Sequence, residues 1–206
     1  MMSSALLYWG NCQIIPPGIT SHLSYGIDHT GMGLRIAQHF SGPGCGDFAC
    51  SSSKVTLTFI SRYYLAKRRM PESGRVFESR PCIDFAGHIK GHTNSGTCWD
   101  GPFAKLGICI RQYIYSGGVH LTTEQTEWPR FINVTDRNDS DIKPFHGRKF
   151  VPEFQWTLDR NYNLEIDVEV SFTINIEGSG YIQFLGPDLA GPYTFNIPQF
   201  EIRSIN

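Results

Sequence analysis

The chain has 206 residues, with 18 Lys and Arg against 19 Asp and Glu, a formal net charge of -1 and a pI near 6.6. That balance removes the electrostatic ground for non-specific nucleic-acid or anionic-membrane binding, so neither partner is expected. Isoleucine (20) outnumbers leucine (12) and alanine (7), and 27 aromatic residues add to the β-favouring set, which argues for sheets over helices.

Residues 1–53 carry the weakest pattern, with a candidate strand at Leu6 to Ile15 and either a short strand or a single helical turn at Leu34 to Phe40. Gly31-x-Gly33 is no dinucleotide fingerprint, because Ile36 stands where the third glycine belongs and no βαβ pattern surrounds it. Val55 to Leu65 alternates Val55, Leu57, Phe59 and Tyr63 against Thr56, Thr58 and Arg62, the period of a half-buried strand. It ends in a basic turn from Lys67 to Gly74, and Arg75 to Ser79 is expected to return as its hairpin partner. Cys82 to Phe85 begins another short strand, and Gly87 to Pro102 reads as a loop on composition.

Lys105 to Tyr115 places Leu106, Ile108, Ile110 and Ile114 inward, with Lys105, Cys109, Arg111 and Tyr113 outward. Residues 116–147 form a long polar region, expected to contain strands near Val119 to Thr123 and Phe131 to Val134. The clearest element follows. Leu164, Ile166, Val168, Val170, Phe172, Ile174 and Ile176 alternate with Glu165, Asp167, Glu169, Ser171, Thr173 and Asn175, a strand with one dry and one wet face. Glu177 to Gly180 then leads to Tyr181 to Leu185, which predicts a β-hairpin. The last strand, Tyr193 to Ile205, switches inward parity at Pro198, the mark of a bulge.

The N-terminus lacks a secretory signature and no stretch reaches membrane-spanning length, so a soluble, cytoplasmic chain is expected. On that basis the six cysteines are expected as free thiols rather than bridges. The sequons at Asn133 and Asn138 point the other way, but such short motifs arise often by chance.

Several constellations could carry chemistry. Glu165, Asp167 and Glu169 repel one another on one face unless cations lie opposite, and Arg62, Lys105, Arg111 and Arg203 have the outward parity to supply them. The functional alternative for that face is a cation or polar-sugar site. His88 and His92 are the closest metal-like pair, with His120, Cys82 or Cys98 as further ligands. Asp136-x-Asn138-x-Ser140 opens like a calcium loop but lacks its glycine and closing glutamate. No hydrolase motif, P-loop or paired CxxC set is present. Trp99, beside Asn94 and Asp100, combines an aromatic plane with hydrogen-bonding groups, the ingredients of sugar recognition, and Trp128 is a second loop aromatic.

Together these features predict one antiparallel β-sandwich domain over residues 1–206, of jelly-roll type, with eight or nine strands and long loops. Its expected role is non-catalytic binding of a glycan or small polar ligand through Asn94, Trp99, Asp100 and Trp128, without a cofactor. Two rivals come from other classes. One is a self-assembling structural subunit of capsid, appendage or protein-crystal type, a homo-oligomer favoured by low net charge. The other is a metal-dependent enzyme using His88, His92 and a third ligand.

Overall fold

A computed structural model describes residues 12–15, 27–30, 33–36, 39–41, 52–66, 76–79, 81–94, 101–157, 161–196 and 202–204. Among them are seventeen strands and no helix. They are β1 (Cys12–Ile15), β2 (Ile27–Thr30), β3 (Gly33–Ile36), β4 (His39–Ser41), β5 (Ser52–Leu65), β6 (Val76–Ser79), β7 (Cys82–Ala86), β8 (His88–Thr93) and β9 (Phe103–Ser116). There follow β10 (Val119–Val134), β11 (Ser140–Pro144), β12 (Gly147–Phe150), β13 (Phe154–Thr157), β14 (Leu164–Glu177), β15 (Gly180–Leu185), β16 (Tyr193–Asn196) and β17 (Ile202–Ser204). Many are short because one extended run is split where it passes between sheets, as β7 and β8 are at Gly87.

The protein is an all-β antiparallel sandwich. One layer is the sheet β1-β5-β14-β9-β10; against it pack β11-β8-β15-β4 and β12-β7-β16-β3-β2, with a small sheet β13-β6-β17 beside them. Apart from the β9-β10 and β2-β3 pairs, neighbouring strands are non-consecutive, the crossed connectivity that a jelly roll requires.

Strand β14 holds the centre because its alternation lets it be flanked on both edges and packed on one face. It pairs over its full length with β5 and with β9. Its apolar residues from Leu164 to Ile176 are buried, and Phe172 meets Phe184, Tyr193 and Phe195 of the other layer at ring-centroid distances of 5.2, 6.2 and 5.9 Å. Each such fully buried side chain contributes about 1.5–3 kcal/mol through the area it removes from water. Gln112 interrupts the apolar inward row of β9, and it is fully satisfied. It accepts from the Ser79 hydroxyl at 2.8 Å and donates to the carbonyls of Ser79 and Pro152 at 3.3 and 2.7 Å, which ties β6 to the main sheet.

Four local expectations are corrected. β14 and β15 do not form a hairpin, since β15 pairs with β8 and β4 in the opposite layer. Both strands have an apolar face, and carrying the chain across at residues 177–179 lets those faces meet instead of lying side by side. β6 pairs with β13 and β17, not with β5. The run after Gly87 is no loop over its first half: His88–Thr93 is a strand with Ile89, Gly91 and Thr93 buried. Gly91 serves packing there, because a Cβ would come within 2.4 Å of an Ile132 methyl. Finally, the polar region after Ser116 opens with a two-residue turn, Gly117-Gly118, both at positive φ (58° and 81°), which folds β10 directly onto β9. The two short strands expected there are one strand of 16 residues.

The basic turn at residues 67–74 and the parity switch at Pro198 lie outside the described residues. So do Cys45, Cys50 and Cys98, whereas Cys82 is buried and Cys109 half-buried.

Candidate functional site

The outer face of the β1-β5-β14-β9-β10 sheet is a grid fixed by register. Along β14 the outward residues run Glu165, Asp167, Glu169, Ser171, Thr173, Asn175. On the β5 side they stand against Tyr64, Arg62, Ile60, Thr58, Thr56 and Lys54; on the β9 side against Tyr115, Tyr113, Arg111, Cys109, Gly107 and Lys105. The half of this grid from Glu169 to Asn175 is the floor of a groove of about 590 Å³. That volume lies within the roughly 300–1,000 Å³ of small-molecule sites.

The far wall comes from β10. Between Trp128 and Ile132 three residues, Pro129, Arg130 and Phe131, oppose the single residue Gly107 of β9. The bulge throws the backbone of Pro129 over the floor, and a Cβ at position 107 would lie 3.1 Å from the Pro129 carbonyl oxygen. Gly107 is therefore what lets the wall approach. Proline fits at this place because β10 is the last strand of its sheet and a bulged residue has no ladder partner to donate to. From behind, Trp128 and Phe131 both pack edge-on against Phe145, at 5.1 and 5.0 Å, and the Phe131 carbonyl accepts from Lys143 Nζ at 2.9 Å. The wall is thus anchored in the core.

Charge is distributed unevenly over the face. Arg62 donates through Nε and Nη2 to both oxygens of buried Asp167 at 2.7 and 2.8 Å, which raises the guanidinium further above its ordinary pKa. Arg111 is a hub: it donates to Glu169 at 2.6 Å and Gln125 at 2.9 Å, and lies 3.7 Å from Glu127. Burial works against that charge, but the bond to Glu169 leaves the Arg111 pKa raised. Burial foremost, reinforced by Glu127 and opposed by Arg111, pushes the Cys109 thiol up to about 11. At neutral pH the sulfur is held as the thiol, the less nucleophilic form. Lys54, Lys105 and Arg130, which line the same groove, form no ion pair among the described residues.

The ion pairing expected for Asp167 and Glu169 is present, with Arg62 and Arg111 as partners, while Lys105 stands beside Asn175 instead. Of the loop residues expected to bind ligand, only Asn94 and Trp128 are among the described residues. Trp99 and Asp100 lie outside the described residues. Asn94 sits at the end of β8, its Oδ1 2.8 Å from His92 Nε2, and Trp128 is packed on the core instead of facing the groove floor. His88 and His92 share one face of a strand, so four residues at about 3.3 Å each hold them about 13 Å apart, too far to share a metal. Among the described residues no group of three or more His, Cys, Asp or Glu could hold a metal ion. The segment of the calcium-like motif is instead a tight turn in which the Thr93 hydroxyl donates to the Asp136 carbonyl.

Sequence reasoning offered the outward face of β14 as an alternative cation or polar-sugar site but did not assemble this floor, although the outward parity of Thr56, Thr58, Ser171, Thr173 and Asn175 was legible. No local signal indicates which strands lie beside one another, and only that adjacency turns separate polar rows into one surface.

The molecule is thus a β-sandwich with a polar groove on the outer face of the sheet centred on β14. No protein-family model matches the chain. No curated protein matches it in sequence either. Similar solved structures include the carbohydrate-binding module TmCBM61 in complex with β-1,4-galactotriose, 11% identical with a TM-score of 0.29, covering 94% of this chain and 88% of that one. A CBM4 structure is 9% identical with a TM-score of 0.29, covering 94% and 86%. The enzymatically active domain of bacteriophage CBA120 tailspike protein 4 is 11% identical with a TM-score of 0.25, and the match covers 82% of this chain and 19% of that one. At identities and TM-scores this low, the groove's own chemistry has to carry the function. Among the described residues no helix is long and apolar enough to cross a membrane.

Proposed function

We propose that this protein is a non-catalytic binding module that holds a glycan chain along the outer-face groove. The observation that carries this is the floor itself: Thr56, Thr58, Ser171, Thr173 and Asn175 present hydroxyl and amide groups in one open trough. Such groups donate and accept at once, as a hydroxyl-rich ligand requires. Among the described residues the two carboxylates in the groove, Glu127 and Glu169, both lie beside Arg111, at 3.7 and 2.6 Å, an arrangement of internal ion pairs unlike the free carboxylate pair that glycoside hydrolysis uses. Assembly through sheet edges has less support, because β10 meets solvent as a bulged edge bearing Glu124, Glu127 and Arg130, features that oppose strand addition.

The test is a glycan array probed with the purified chain and with Thr173→Tyr, whose ring would fill the middle of the trough. Saturable binding by a monomer, lost in the variant while its melting temperature holds, is the expected result. An array silent for the folded protein, or binding that Thr173→Tyr leaves unchanged, would overturn it.

A further inference from the structure

We infer that the groove is selective for an acidic glycan, a sugar chain carrying carboxylate or sulfate groups, with its anionic group held between Lys54, Lys105 and Arg130; the inference rests on the groove being the glycan site. Register brings the cations together. Lys54 on β5 and Lys105 on β9 are the direct neighbours of Asn175 on its two sides. At a strand spacing of about 4.8 Å their Cα atoms are about 10 Å apart, a gap two lysine stems can close onto one anion. Arg130 enters from the β10 bulge that walls the same space.

Every other cation on this face has a carboxylate. Arg62 has Asp167 and Arg111 has Glu169, whereas Lys54, Lys105 and Arg130 have none among the described residues. Glu177, the next outward residue of β14, makes no ion pair with either lysine. Like charges gathered across neighbouring strands repel, and an anion between them reverses the sign. The ammonium of Lys105 is in addition held 4.3 Å over the Phe103 ring, at the end of the trough.

The floor chooses among anions. Its threonines and Asn175 suit ring hydroxyls, and among the described residues no aromatic side chain lines the groove. A neutral sugar therefore lacks a ring on which to lay its C–H face, and a nucleobase lacks a stacking platform. A charged sugar needs neither, because its affinity comes from charge-assisted hydrogen bonds.

The experiment uses the full chain on an array of neutral, uronate-bearing, sialylated and sulfated glycans, with single-stranded DNA and inorganic phosphate as competitors. The best ligands should all be acidic, and their affinity should fall as salt rises. Lys54→Ala and Lys105→Ala should each weaken binding about tenfold, the loss of one hydrogen bond to a charged group, with melting temperature unchanged. The uronate and sulfated arms identify which anion is read. Neutral ligands as the best binders, still displaced by Thr173→Tyr, would sink this inference and leave the glycan reading intact. Indifference to both lysine variants would also sink it, and DNA binding tighter than any glycan would assign the cations to a nucleic acid. An array silent for the folded protein would remove the glycan reading itself.

Discussion

The two ends of the outer sheet face are built from the same four strands and the same alternation, yet they differ in kind. At the Glu165 end, Arg62 is clamped to Asp167, Tyr113 donates to Glu169 at 3.3 Å, and the rings of Tyr115 and His120 lie 5.3 Å apart. Asp167 and Glu169 there both have a cation within the protein. At the Asn175 end the cations have no carboxylate among the described residues, and a bulge has opened a trough. The difference teaches that polarity on a sheet face is not one property: a face whose charges are paired internally stabilises the fold, while one left unpaired offers its hydrogen-bonding capacity to something else.

Three perturbations bear on that contrast. The largest effect should come from Arg111→Ala, at the boundary between the ends. It strips Glu169, only 9% exposed, of its cation and should cost about 2–4 kcal/mol in urea denaturation, the scale of breaking a largely buried pair. A loss near zero would mean that the paired end owes its order to backbone pairing alone. Next, Gly107→Ala should cost about 1–2 kcal/mol by pressing a methyl on the Pro129 carbonyl, and it should also weaken glycan binding by displacing the wall. Stability lost with binding intact would show that the wall is structural only.

The smallest effect concerns Cys109. Its folded pKa of about 11 stands above the ordinary 9.0, so the folded state holds the thiol proton more tightly than the unfolded chain. This contribution to stability is complete below about pH 9 and is lost as pH rises through 11, and Cys109→Ser should flatten that part of the alkaline limb. The same sulfur should be alkylated slowly at pH 8, followed by peptide mass spectrometry, with a midpoint near 11. A midpoint at the ordinary thiol value would place the sulfur in solvent.

Parity was the legible part of this molecule. Alternation along β5, β9 and β14 identified Leu57, Phe59, Leu106, Ile108, Phe172 and Ile174 as inward, and all are buried. It also identified Arg62 and Arg111 as cations available to Asp167 and Glu169. The glycines misled where they served packing instead of turning, as at Gly91, and the Gly117-Gly118 turn was a signal present but unread. The candidate site was mostly hidden. Its floor was scattered over residues 54–58, 105–111 and 169–175, and its wall was the polar stretch at Pro129 and Arg130 that no period describes.

What the sequence determined by itself was the class of the fold and, on each long strand, which side chains would be dry, because a strand's two-residue period is a local property of the backbone. Only the tertiary structure decided that β15 crosses to the opposite layer, that β14 lies between β5 and β9, and that Lys54 and Lys105 flank Asn175. Those outcomes depend on pairings between segments about 50 to 120 residues apart in sequence, chosen by the burial of several apolar faces at once and invisible to any window along the chain.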